Sequence, residues 1–396
     1  MLPENIKKYL LDFSYLSLLM TSIIGCGSIV PLSLPPKDEI DFNSDWLTLG
    51  RNNQHTHYAT HDIIPPLEII WKTRVKSVIT DHPLAVGKNI IALTKNGTLY
   101  ELDYETGKIL GDGTIGPAID HVPTIQNDIL YTGFSLGRKT LIGFNLESAK
   151  SNLQREYPNI NTSPLYWEKK LYFGTNNGLF LCTNAGTGET IWKFNAKSPI
   201  QSSPAIESQS IVFGDDQGII YALDATSGVK LWETPLEGNT FSHPVIDDSY
   251  IYIGTTEGNF YALKFANGSI SWKQKFSGAI FSSPSIYDDA VYIGNNNHNV
   301  IALKKTTGEI IWEFTSDGII NTVPLPSPDY LYVSSWDEHL YVLNRINGNL
   351  IFKMDLKRPI KSSPIIYKDL LLIQTANGHL YALGNEKFAR SRKDSK

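Results

Sequence analysis

Cysteine is nearly absent from this chain of 396 residues, with only Cys26 and Cys182 present. Two cysteines so far apart exclude a disulfide-stapled scaffold and a cysteine-rich metal centre. Charge of one sign is not in excess either: 35 basic side chains face 40 acidic ones, for a formal net charge of -5. That balance lacks the basic footprint of a nucleic-acid-binding protein. The longest apolar run, Phe13 to Ile24, falls short of the roughly 20 residues that span a bilayer as a helix. A glycine-rich phosphate loop, a Ser, His and Asp arrangement, and any Gly-Gly dipeptide are missing as well.

What the chain does contain is a repeat. Proline recurs as Pro83, Pro123, Pro164, Pro204, Pro244, Pro284, Pro324 and Pro364, at intervals of 40 or 41 residues. A period of this length built from short β-rich runs indicates a closed array of small sheets. The copy from Ile200 to Phe241 is the clearest. In it Ala205-Ile206, Ile211-Val212-Phe213-Gly214, Ile220-Tyr221-Ala222-Leu223 and Leu231-Trp232 read as four strands. Turn signals separate them: Gly214 to Gly218 in this copy, and Asn96-Gly97, Asn177-Gly178, Glu257-Gly258 and Asn377-Gly378 elsewhere, suit hairpins with positive φ. Gly107, Gly188, Gly228, Gly268, Gly308 and Gly348 mark the next turn, and the fourth strand after it carries Trp192, Trp232, Trp272, Trp312 or Phe352. The first two units lack that aromatic, with Gly111 in its place in one of them.

The expected fold is all-β, an eight-bladed β-propeller of four-stranded blades over residues 65-384. A WD40 repeat is excluded because Trp336-Asp337 is solitary, and a kelch repeat because Gly-Gly is missing. An α-solenoid would need apolar residues at helical spacing over longer stretches. The eighth unit ends without a fourth strand, while Leu67-Glu68-Ile69-Ile70-Trp71 precedes the first unit as an orphan. Closure of the last blade by this N-terminal strand is expected, since an open ring would expose strand edges at both ends.

Lys7 and Lys8 precede the short apolar run, which ends in Ile23-Ile24-Gly25-Cys26. Residues 1-25 read as an export signal peptide. The tetrapeptide resembles a bacterial lipobox, which implies lipidation of Cys26. Residues 26-64 are then the lipidated cysteine, a tether and a lead-in segment to the propeller, and residues 385-396 form a basic tail. By analogy with enteric lipoproteins, Gly27 after the cysteine points to the outer membrane, with the propeller facing the periplasm.

Ala222-x-Asp224-x-x-x-Gly228-x-x-x-Trp232 resembles the docking motif of the pyrroloquinoline-quinone-like propeller repeats, with related copies at Ala262 to Trp272 and Ala302 to Trp312. In that family the tryptophan packs between blades, which implies Trp71, Trp192, Trp232, Trp272, Trp312 and Phe352 as closure and docking aromatics, each set to stack on its own motif's glycine turn. Two classes share the repeat. Quinoprotein dehydrogenases use a calcium-bound quinone and usually an adjacent cysteine pair, which this chain lacks, and its short blades leave no insertion to build a lid. The other class, to which the lipobox, short blades and N-terminal closing strand are similar, is the lipoprotein propellers of the outer-membrane assembly factor BamB type. The resemblance implies a non-catalytic, lipid-anchored envelope scaffold without cofactor, a monomeric propeller that binds other proteins, including a β-barrel assembly component. The alternative is a quinone-dependent oxidoreductase or quinone-binding sensor. The segment Trp46 to Thr56 is similar to one found before generic quinone-like repeats.

Candidate chemistry is sparse. His82, His121 and His243 sit at the repeating proline, but His82 and His243 belong to the first and fifth units, opposite each other, too far apart for the roughly 2 Å bonds of a shared metal ion. Asp215-Asp216, Asp247-Asp248 and Asp288-Asp289 fall at turns and read as turn residues. Polar-aromatic groups of the kind enriched at binding surfaces are His55, His57, Tyr58 and His61 in the lead-in segment and Trp336 with His339 in the seventh unit. These are the expected partner contacts.

Overall fold

Short β-branched and aromatic runs punctuated by glycine and asparagine form thirty-two strands, numbered β1 to β32 in chain order, in a computed structural model that describes residues 31, 40–41, 45–247 and 249–385. Signal peptide, Cys26 and basic tail lie outside the described residues, as does Asp248. The strands make eight antiparallel four-stranded sheets. In the fourth blade β14 (Ala205–Glu207), β15 (Ser210–Gly214), β16 (Ile219–Asp224) and β17 (Lys230–Pro235) pair in sequence order. The two middle strands are buried on both faces because each blade is sandwiched between its neighbours, while β17 is largely exposed. Gly218, at φ +83°, closes the hairpin between β15 and β16, a backbone state that glycine adopts at no steric cost.

In the last sheet the order is β1 (Leu67–Arg74), β32 (His379–Asn385), β31 (Leu370–Gln374) and β30 (Ile365–Tyr367), so the strand before the first blade is the outer strand of the eighth. Leu67 pairs with Asn385 and Arg74 with His379. The apolar clusters straddle blade junctions. One joins Tyr252 and Phe260 of the fifth blade to Val291 and Ile301 of the sixth, and another joins Tyr292 to Leu331 and Tyr341 of the seventh.

The docking aromatics act one blade further on than the sequence suggests. Each indole N–H donates to a backbone carbonyl in the next blade: Trp71 to Tyr104 (3.0 Å), Trp192 to Ala225 (3.1 Å), Trp232 to Phe265 (3.2 Å), Trp272 to Lys305 (2.9 Å) and Trp312 to Arg345 (3.0 Å). The ring lies on the glycine of that next turn. A Cβ built on Gly348, at φ +72°, would stand 2.6 Å from the Trp312 ring. The stacking partner is thus not the motif's own glycine, because the fourth strand is the outermost and its side chain leans across the junction. Phe352 is half-buried against the cluster of the last blades. Where the first blade has Gly111 opposite Glu101 instead of the usual tryptophan opposite alanine, the next turn has Ala149 at φ +52° in place of glycine. Here ring and glycine are lost together, whereas the second blade has Leu153 in place of the ring and the turn after it keeps Gly188, at φ +68°.

Candidate binding site in the plugged channel

The residues before the repeated prolines line the central channel, and their side chains tie successive blades together. The Ser163 N–H donates to Ser203 Oγ, the Ser203 N–H to His243 Nδ1, the His243 N–H to Ser283 Oγ and the Val323 N–H to Ser363 Oγ, each at 2.9 Å. Ser363 continues the chain into the first blade, donating its N–H (3.2 Å) and hydroxyl (2.5 Å) to Asp81 Oδ1. Because His243 Nδ1 accepts, its proton is on Nε2 in the neutral ring. His121 is not equivalent to His82 and His243. It stands one residue earlier, where Ser202, Ser242 and Ser282 stand in other blades, and turns its Nε2 toward the Gly133 backbone.

One end of the channel is stoppered by the lead-in segment. Its backbone reaches the innermost strands around the ring. The Trp46 N–H donates to the Ala85 carbonyl, and the N–H groups of Ile125, Ile206, Ile246 and Ile286 donate to the carbonyls of Leu47, Asn53, Gln54 and Thr56. The Ala59 N–H donates to Pro326, the Trp46 indole to the Ile366 carbonyl and the Asn53 amide to the Tyr166 carbonyl. All eight blades are therefore bonded to residues 46–59. The donors sit two residues after the repeated proline, where the first strand is an inner edge with free backbone groups.

This geometry corrects one expectation. His55 and His57 are buried, 4% and 1% exposed, inside the stopper, and present nothing to a partner. His57 lies 5.0 Å from Trp46 and 5.7 Å from His82, and His55 lies 6.2 Å from His243, ring centre to ring centre. The lead-in segment so brings histidines of distant blades into one cluster, which repeat spacing could not reveal. Desolvation pushes His55 and His57 down to about 3 and His121 and His243 to about 4, and it lowers His82 too. His57 Nε2 faces the Pro364 carbonyl at 3.1 Å and His82 Nε2 accepts from the Gly50 N–H at 3.2 Å. Tyr58 is half-buried under the Arg51 guanidinium, 4.5 Å from its ring centre. His61, also half-buried, bonds the Lys368 carbonyl.

Trp336 and His339 lie at the opposite end, on a hairpin of the seventh blade. Trp336 is 36% exposed with Lys361 Nζ 4.2 Å above its ring, while His339 folds back on Asp337. The acidic pairs do not converge. Asp215 accepts from Gln217, Ile219 and Tyr221 within its own hairpin, Asp247 caps the turn at Tyr250, and Asp288 pairs with Arg345.

Between stopper and open mouth is a cavity of about 160 Å³, bounded by Leu49 below and by Asp81, Asp120, His121, Ser163, His243 and Phe281 around it. Phe281 stacks on Phe241, centres 6.0 Å apart, at the rim. Among the described residues no group of three or more His, Cys, Asp or Glu is arranged to hold a metal ion, and Cys182 is buried and unpaired. The cavity is smaller than the roughly 300 Å³ at which pockets for cofactor-sized molecules begin, and the mouth beside it, about 330 Å³, is lined by Lys95 and Lys361 and by no carboxylate, so these residues do not fit a calcium-bound quinone. Sequence reasoning missed Asp81, Ser163, Asn321 and the two phenylalanines, although all lie within three residues of a repeated proline.

Residues 150–242, 216–322 and 296–388 match the family described as outer membrane protein assembly factor BamB. No curated protein matches by sequence. Among solved structures, BamB from Moraxella catarrhalis superposes with a TM-score of 0.68 at 20% identity, over 80% of this chain and 99% of that one. The quinohemoprotein alcohol dehydrogenase from Comamonas testosteroni gives 0.75 at 11% identity, over 87% of this chain and 81% of that one. A europium-containing methanol dehydrogenase gives 0.75 at 11% identity, over 86% and 98%. At these identities the superpositions speak for the fold alone.

Proposed function

The chain belongs to the family of the outer membrane protein assembly factor BamB, and from that premise we propose that it is a non-catalytic scaffold, tethered to the outer membrane through Cys26 and facing the periplasm, that binds a component of the β-barrel assembly apparatus. The family match carries this reading. The surface available for it is a set of outer blade edges, each paired on one side only. Most are blunted by lysine or proline, as in Lys230–Pro235 and Ile270–Lys275. Strands β5 (Ile109–Thr114) and β25 (Ile310–Thr315) have neither; β25, whose one charged side chain is Glu313, exposes Ile310 and Ile311 at 50% and 43%. An unguarded edge of this kind accepts a partner strand through main-chain hydrogen bonds.

Membrane fractionation tests the anchor. Cys26→Ala is expected to leave a folded propeller in the soluble fraction, since the acyl chains contribute about 0.8 kcal/mol per buried methylene. A variant that still pellets after a high-salt wash would contradict a lipid tether. The alternative, a quinone-dependent oxidoreductase or quinone-binding sensor, rests on likeness of fold. Incubation with pyrroloquinoline quinone and calcium should give no bound chromophore and no dye reduction with alcohols or sugars; a stoichiometric complex that turns over would replace the scaffold reading.

A further inference from the structure

We propose that the blind chamber above the stopper is a binding site for a small primary ammonium compound. Its wall carries Asp81 and, already paired with Lys95 at 3.4 Å on its outer side, Asp120, and no lysine or arginine lines it. Asp81 Oδ1 is taken by Ser363, whereas Oδ2 has no hydrogen bond among the described residues. One further side chain in the wall is more than nine-tenths buried and unsatisfied: Ser163, 3% exposed, with its Oγ unpartnered. Asn321 Oδ1 at the rim is unpartnered too. Buried polar atoms left without partners are costly and rare in a folded protein, and a cavity bordered by several of them is built to receive something polar.

The chemistry of the wall selects what that is. Carboxylate, amide oxygen and hydroxyl oxygen are acceptors, and an alkylammonium brings three N–H donors and the charge that the Asp81 carboxylate attracts. The histidines facing the chamber are held neutral by burial and so do not repel a cation. Phe281, 37% exposed and stacked on Phe241, offers a ring face at the rim for the cation or its alkyl part. An anion would meet the Asp81 carboxylate, and the nearest cations stand outside the chamber, Lys95 paired with Asp120 at 3.4 Å and Lys361 over Trp336. About 160 Å³ admits a ligand of only a few heavy atoms. This site does not depend on the scaffold reading.

Calorimetric titration of the full-length protein in detergent tests it, with ethanolamine as the probe and glycerol and acetate as its neutral and anionic counterparts. The expected result is saturable one-to-one binding of ethanolamine that weakens with salt, and no binding of the other two. Asp81→Asn keeps an oxygen for Ser363 and is expected to weaken ethanolamine at least about tenfold, near 1.4 kcal/mol, with an unchanged melting temperature. Asn321→Leu, at the rim and away from the blade-to-blade ties, is expected to weaken it as well. No saturable ethanolamine binding, equal binding of glycerol or acetate, or full affinity in both variants would overturn the proposal.

Discussion

At the scale of single residues, the blade junction is a ring on a glycine. Trp71 and Trp312 are 7% and 8% exposed, and replacing either by alanine is expected to cost about 3 to 5 kcal/mol, as for other large aromatics removed from a core. Urea titration reads this directly. Equivalent positions should respond with opposite sign. Gly348→Ala places a Cβ against the Trp312 ring at φ +72° and should destabilise, whereas Ala149→Gly relieves an alanine at φ +52° that has no tryptophan above it and should stabilise by about 1 kcal/mol. Glu101, in the first blade, is 5% exposed and desolvation pushes its carboxyl up to about 7. Folded protein therefore holds that proton more tightly than unfolded chain between about pH 4.5 and 7, and stability falls as pH rises through this window. Glu101→Gln should raise the melting temperature at pH 8 and leave it nearly unchanged at pH 4.

At the scale of elements, the lead-in segment is the part least legible beforehand. Its residues carry no repeat, so nothing in the period shows that Trp46 to Ala59 bonds all eight blades; only the match of its carbonyls to free inner-edge N–H groups reveals it. Two consequences are measurable. Deletion of residues 27–44 should leave the melt unchanged, deletion of 27–60 should lower it, and deletion through residue 75 should lower it further, since the last also removes β1 from the eighth blade. Equal melts for the last two would mean that β1 contributes nothing to closure. Acid should also loosen the stopper. His55 and His57 have folded values near 3, below the ordinary 6.5, so their contribution is complete above about pH 6.5 and is lost as pH falls toward 3, at roughly 1.4 kcal/mol per histidine per pH unit. Hydrogen exchange at Ile125, Ile206 and Ile246, whose N–H groups bond the segment, should quicken between pH 7 and 4.5 more than in the β16 strand. Unchanged relative protection would contradict the assignment.

At the scale of the molecule, blade number and strand order were legible because each is copied eight times, and the docking aromatics because six of the eight blades carry one; a period averages out local exceptions such as Gly111 and Ala149. The chamber was not, because it is made where the copies differ: Asp81 and His121 stand where the other blades carry serine or threonine two residues before the proline, and Phe281, like Phe241, stands where the others carry polar or charged residues. A propeller with one end stoppered and its outer edges free is suited to hold a partner strand on its rim, and the unguarded edge at Ile310–Thr315 is where the account places it. The most direct test is quantitative co-purification from gently solubilised membranes, comparing the native protein with Ile311→Lys, a change on an exposed position that should not disturb the fold. The account predicts that the native protein brings down a β-barrel assembly component and that the lysine variant, equally anchored and equally stable, loses it. Recovery of no such component with the native protein, or the same amount with the variant, would contradict it.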